Sequence, residues 1–186
     1  MSKIYFVRHA EPDYSIKDDR LRPLTEDGLK ASIKVSDFLS DKNITKIFSS
    51  PYKRSVDTIL DFSKKSALEI TKIEDFKERK IEDVWIEDFD NFFKTQWQDF
   101  NYKLSSGECL NEVQARNIAA LHSLLNEYPE DTIVIGTHGT ALSTIINYYD
   151  KNFDGKEFAR IRGIMPFIVY MEFEGTKLVN IKEYLI

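Results

Sequence analysis

Cysteine occurs once in the 186 residues, at Cys109, so no internal disulfide can form and a reducing compartment is expected. Three histidines without close spacing, beside that one cysteine, make no metal-ligand pattern, and neither metal nor cofactor is expected. Seven glycines are present and none falls in a phosphate-cradling loop, which excludes the P-loop nucleotide enzymes. Long apolar runs are missing as well. The chain offers only a four-residue apolar run before Arg8, too short for a signal peptide or a membrane span. A cytoplasmic protein with no membrane partner is therefore expected. Basic residues number 26 against 31 acidic ones, a formal charge of −5 that argues against nucleic acid as a partner. Repeats, low-complexity tracts and flexible linkers are lacking too. What remains is a hydrophobic fraction of 42%, enough for one domain over residues 1–186 with a substantial core. Nothing in the composition sets an oligomeric state.

Residues 4–7, Ile-Tyr-Phe-Val, form an uninterrupted apolar run suited to a strand buried on both faces of a parallel sheet. The run stops at Arg8-His9-Ala10-Glu11. Loops at the carboxyl ends of such strands form the ligand crevice of open α/β sheets, so a cation and an imidazole here invite a functional reading. A second run at 132–136 ends in Thr137-His138-Gly139-Thr140. Between the two, Phe48-Ser49-Ser50-Pro51-Tyr52-Lys53-Arg54 carries a strand into a helix.

In chain order, a polar loop over 12–23 holds Lys17, Arg20 and Arg22 beside Asp13, Asp18 and Asp19. Thr25 is the expected N-cap of a helix, with Leu24 and Leu29 as a staple and Leu29, Ile33, Val35, Phe38 and Leu39 as its apolar stripe. Gly28 inside that start has no reading beyond tolerance. A strand at 44–48 is followed by a helix capped by Ser50 with Pro51 at its first position, placing Arg54 one turn in. A third strand is expected at 68–73. The span 74–103 mixes carboxylates with aromatics and reads as a small insertion over the sheet edge, helical over 88–101; its aromatics read equally well as plain core. Ser105 and Glu108 have capping-box spacing before a long helix on which Glu112 and Arg116 pair. A helix over 140–149 and a hairpin of 165–173 with 178–184 complete the chain. The alternation predicts a three-layer α/β/α sandwich with a mostly parallel central sheet.

Two strand-end histidines and two arginines in this order resemble the histidine phosphatase superfamily, the phosphoglycerate mutase-like enzymes. The pieces that match are Arg8-His9-Ala10-Glu11, Ser49-Ser50-Pro51 with Arg54, Gly107-Glu108 and Thr137-His138-Gly139. The resemblance implies a metal-independent phosphomonoesterase of the histidine acid phosphatase type, acting on a small phosphorylated substrate. It implies His9 as nucleophile, with Arg8, Arg54 and His138 holding the phosphate, His138 counting as catalytic too. Chemically this is sound: a neutral imidazole can take the phosphoryl group, and guanidinium forks suit its oxygens. Glu11 has no role beyond shaping the pocket. Where the family often has Gly and then Ser or Thr, this chain has Ala10 and Pro12, so hydroxyl and amide are both lost at the latter. Ser15 stands where the family has asparagine and is the remaining phosphate donor of that loop.

The leaving oxygen needs a proton, and Glu78 falls where the family keeps its acid, with Glu82 and Asp83 as neighbouring alternatives. His122 reads as a boundary histidine and Cys109 as a buried thiol. Two other functions fit the same cage. One is mutase-type phosphoryl transfer to a second hydroxyl; the other is a non-catalytic module that binds a phosphorylated ligand. The acidic composition of 74–90 favours water as the acceptor, and the pairing of His9 with Glu78 favours catalysis over binding.

Overall fold

A computed structural model describes residues 1–82 and 88–186 of the chain. Its sheet runs in the order β3-β2-β4-β1-β5-β6. These strands are β1 (Ser2–Arg8), β2 (Lys46–Ser49), β3 (Ile70–Lys72), β4 (Thr132–Thr137), β5 (Phe167–Glu174) and β6 (Lys177–Tyr184). The first four are mutually parallel where they pair, and β5 and β6 run antiparallel at one edge. The helices are α1 (Glu26–Leu39), α2 (Lys53–Ser66), α3 (Phe89–Gln98), α4 (Leu110–Glu127), α5 (Gly139–Tyr149) and α6 (Gly155–Ile161). None of the described helices is long and apolar enough to cross a membrane.

Strand alternation builds two cores. Tyr5, Val7 and Val134 face Val35, Leu39, Ile59 and Phe62 of α1 and α2. Ile4, Phe6, Ile133 and Ile135 face Leu121, Leu124, Leu142 and Ile145 of α4 and α5 on the opposite side. Because both faces are covered, residues 4–7 of β1 and 133–135 of β4 are apolar without a break, and the three-layer sandwich follows.

Several local expectations change. Thr25 does cap α1, accepting from the Gly28 amide at 3.0 Å. Leu29 and Ile33, however, are half exposed, and the buried face is Gly28, Ser32, Val35, Ser36 and Leu39. Small residues let α1 lie close against its neighbours, a cause that an apolar stripe cannot register. The helix after β2 starts at Lys53 rather than Pro51, and its N-cap is Tyr52. The capping box of α4 is Cys109 with Glu112, whose carboxylate accepts the Cys109 amide at 2.9 Å. Glu108 is unavailable for capping because its carboxylate takes the Lys80 amide and the Arg116 guanidinium instead. Glu112 accordingly pairs with Lys103, not Arg116. Helix α6 has no counterpart in the sequence reading, although Asp154 caps it through the Lys156 and Glu157 amides.

Gly28 now has a reason. A Cβ there would lie 2.3 Å from the Glu11 carbonyl oxygen, which also accepts the Thr25 amide. Only glycine lets α1 close on the loop that follows His9. Gly28→Ala should therefore cost about 1–3 kcal/mol despite alanine's better helix propensity. Ile33→Ala should stay within about 0.5 kcal/mol because the site is half exposed. Urea denaturation of both variants checks this, and a larger loss for Ile33→Ala would restore the apolar stripe as the buried face.

Candidate active site

The carboxyl ends of three adjacent strands supply the site. Beyond β1, the His9 amide donates to the Thr137 carbonyl at 3.1 Å; beyond β2, the Ser50 amide donates to the Gly136 carbonyl at 2.8 Å. These bonds continue the ladder past the strands and carry His9, His138 and Ser50 into one buried cluster. The two imidazole centroids stand 5.2 Å apart. His9 Nδ1 lies 2.8 Å from the Ala10 carbonyl oxygen, so Nδ1 carries the proton and Nε2 keeps its lone pair. The Ala10 amide donates to Thr58 Oγ1 at 2.9 Å, and that hydroxyl donates to the Arg54 carbonyl. A serine hydroxyl at 2.7 Å, Ser50 Oγ, meets His138 Nε2, while His138 Nδ1 is buried with no partner. The Tyr52 ring stacks edge-on to His138 at 5.2 Å and lies 5.1 Å from the Arg54 guanidinium carbon.

Burial holds both imidazoles well below the usual histidine range, and the Arg54 charge pushes each of them further down. Arg8 is fastened rather than free. Its Nη1 donates to the Ile161 carbonyl at 2.7 Å and the Ile164 carbonyl at 3.1 Å, and its Nη2 to the Arg162 carbonyl at 2.8 Å. A cation at the carboxyl end of α6 is well placed for the helix dipole. Arg8 Nε is left buried without a partner. The guanidinium lies against Gly139, where a Cβ would come within 3.2 Å of it. Arg54, also buried, donates through Nη1 to the Asp19 carbonyl at 2.5 Å.

Glu78 sits on the first turn of α5. Its Oε2 accepts the Thr140 amide at 3.0 Å, and Oε1 accepts the Ala141 amide at 3.2 Å and the Arg79 amide at 2.7 Å. A helix N-terminus is a natural seat for a carboxylate. The segment before it is clamped from α4: Arg116 donates to the carbonyls of Asp75, Lys77 and Glu78 while pairing with Glu108.

The structure thus gathers Arg8, His9, Arg54, Glu78 and His138 around the start of α5. Ser15 lies apart, in an exposed turn where its amide bonds Asp13 at 2.9 Å. Glu82 accepts hydroxyl bonds from Ser105 and Ser106, and Asp83 lies outside the described residues. Arg20 forks onto Glu74, and Arg22 pairs with Asp19, so both entrance arginines are neutralised locally. His122 contacts the Tyr149 hydroxyl, and Cys109 is buried. Sequence reasoning missed Ser50 as a partner of His138, Thr58 under Ala10, and the Glu108–Arg116 clamp. Polar residues just past a strand end or on the first turns of a helix were the available signal.

A six-stranded, mostly parallel sheet with helices on both faces is a phosphoglycerate mutase-like fold, and here it brings two neutral histidines and two arginines to one edge. The chain belongs to the histidine phosphatase superfamily (branch 1), whose family model matches residues 4–179. It is 25% identical over 184 residues to the uncharacterized phosphatase PhoE of Bacillus subtilis, covering 97% of this chain and 85% of that one. A phosphoserine phosphatase of Entamoeba histolytica, solved with phosphoserine, superposes with a TM-score of 0.80 at 20% identity, over 96% of this chain and 94% of that one. A mycobacterial glucosyl-3-phosphoglycerate phosphatase solved with VO3 gives 0.79 at 17% identity, over 98% of each chain.

The histidine environment generates a stability prediction. An unfolded chain charges its imidazoles below about pH 6.5, whereas His9 and His138 stay neutral in the fold to well below that value. In that window the unfolded state binds more protons, so stability rises with pH and falls on acidification. Each histidine contributes up to about 1.4 kcal/mol per pH unit there. Between pH 6.5 and 5.5 each histidine then contributes about 1 kcal/mol, so the unfolding free energy should drop by up to about 2 kcal/mol. A double His9→Asn, His138→Asn variant should lose most of that slope in denaturant titrations, and an unchanged slope would refute the assignment.

Proposed function

We propose that this chain is a metal-independent phosphomonoesterase of the histidine acid phosphatase type, working through a phosphohistidine on His9. The observation that carries the reading is the state of His9: neutral, Nδ1 tied to the Ala10 carbonyl, Nε2 left as a nucleophile beside Arg54 and His138. The names of the phosphoserine and glucosyl-3-phosphoglycerate phosphatases support a small phosphate monoester as substrate.

In the proposed reaction, the cationic edges at Arg8 Nε and the unpaired side of Arg54, with neutral His138 beside them, surround the phosphoryl oxygens, where preorganised donors stabilise developing charge. His9 Nε2 forms a bond to phosphorus as the ester P–O bond breaks. Glu78 gives its proton to the departing oxygen. Water then attacks the phosphohistidine, Glu78 takes the water's proton, and inorganic phosphate leaves with His9 regenerated. Oε1 already accepts two amides, from Arg79 and Ala141, whereas Oε2 accepts only that of Thr140 and keeps a lone pair for the proton. Ser15 has no part in this arrangement.

Hydrolysis of p-nitrophenyl phosphate should persist in excess EDTA, be blocked by vanadate and fall to background in His9→Ala. Rapid quenching should trap acid-labile, base-stable phosphate on His9. A divalent-ion requirement, or full activity in His9→Ala, refutes the reading.

Glu78 is tested by leaving group. A positioned general acid contributes about 10²–10⁴-fold, and most where the departing oxygen is most basic. Glu78→Gln should lower kcat by that order on an alkyl phosphate and far less on p-nitrophenyl phosphate, provided chemistry limits the rate. Equal losses on both substrates would reduce Glu78 to holding the first turn of α5.

A further inference from the structure

The loop after His9 reaches back over α2 and places an anion on the cation assigned above to the phosphate. Asp19 Oδ1 stands 3.1 Å from Arg54 Nη1 and 2.7 Å from Arg22 Nη1. Its own carbonyl accepts from the same Arg54 nitrogen. Two further ties pin the loop there: the Lys53 amide donates to the Arg20 carbonyl at 3.0 Å, and Asp18 Oδ1 accepts the Arg20 and Leu21 amides. Arg54 is buried to 3% exposure, whereas the Asp19 side chain remains 49% exposed. A half-exposed carboxylate gains little from such a pair, so its stability value is small. Its effect on a neighbouring anion is larger, because Arg54 holds it close to the space a phosphate would fill. Among the described residues, Arg54 Nε and Nη2 make no hydrogen bond, so Nη1 is held by Asp19 while the other edge stays open.

We propose that Asp19 is an internal competitor in the phosphate seat, a carboxylate that offsets part of the Arg54 charge and so weakens retention of the phosphate product. The inference rests on the proposed phosphatase reading and adds a device to it. Substrate and product both carry a phosphate dianion, and a site that grips one tightly also holds the other. Partial neutralisation by Asp19 loosens that grip for both. The substrate recovers affinity through contacts to its alcohol portion, whereas inorganic phosphate has none and departs. Asp19 therefore governs binding and release and takes no proton in the chemical step.

The substitution Asp19→Asn isolates the charge. Asparagine keeps a side-chain oxygen for Arg22 and Arg54, and the backbone carbonyl on Arg54 is untouched. Calorimetric titration with inorganic phosphate should show binding about five- to tenfold tighter than wild type, with a matching fall in the inhibition constant. KM for p-nitrophenyl phosphate should fall alongside, and kcat should not rise. Asp19→Ser should reproduce the tightening, and thermal midpoints confirm that both variants fold. Asp18→Asn removes an equal charge from the adjacent turn while keeping its acceptor, and should leave phosphate affinity unchanged. Unchanged or weaker phosphate binding in Asp19→Asn overturns the proposal, as does equal tightening in Asp18→Asn. A wild-type protein that binds no phosphate overturns the phosphate seat itself, so the two failures are distinguishable.

Discussion

The parallel register of β1 on β4 is the constraint on which the site depends. Arg8 lies opposite Thr137, so the next residue of each strand is a histidine, and the two leave the sheet side by side. A slip of one residue would turn Ile4 and Phe6 toward the wrong layer and separate the imidazoles at the same time. The apolar packing that fixes the register thereby also fixes the chemistry. Ser50 joins by the same logic from the other side of β4, where Ser49 lies opposite Gly136. The three strands are far apart in sequence and adjacent only in the sheet.

Around that edge, each charged side chain is held by an element distant in sequence. Arg8 is anchored by three carbonyls at the end of α6 and Arg54 by the loop after His9. Glu78 rests on amides of α5, and its segment is fixed by Arg116 of α4. The pattern has an energetic cause. A buried charge without partners is costly by several kcal/mol, and helix ends offer oriented donors or acceptors already in place. Arg8 takes a helix carboxyl end and Glu78 a helix amino end, each the stabilising polarity. The two helix ends also immobilise the side chains they satisfy, which preorganises the site before any substrate arrives.

Much of this was legible in the sequence where one period dominates. The unbroken apolar runs of β1 and β4 and the residues just past their ends point to a buried parallel sheet with His9 and His138 at its edge. Thr25 announces the start of α1 for a local reason, a hydroxyl three residues before an amide. The failures share the opposite character. Ser32 and Ser36 are buried because two helices approach closely, which no hydropathy pattern encodes. Glu112 and Arg116 have ideal helical spacing, yet Glu108 wins Arg116 because it also binds the Lys80 amide across the chain. Ser50 reads as a helix cap until β2 is placed beside β4, 88 residues away from His138. Ser15 replaces the family's asparagine, and it sits in an exposed turn with its amide on Asp13, a local arrangement that its place in the motif does not announce.

The arginines around His9 do two jobs that pull in one direction. In the proposed reaction they attract a phosphate dianion, and their charge adds to burial in keeping the imidazole neutral, as the proposed nucleophile requires. These effects cannot persist together through the proposed reaction. Once the dianion settles among the arginines it cancels much of their field, and protonating His9 becomes easier than in the empty site. Two features oppose loss of the nucleophile at that moment. Burial still disfavours the imidazolium, and Nδ1 already carries its proton, held on the Ala10 carbonyl. The only vacant nitrogen is then Nε2, and the phosphorus atom occupies the direction from which a proton would come. Hydrogen bonding at one nitrogen and substrate at the other therefore keep the imidazole reactive after its electrostatic protection is withdrawn.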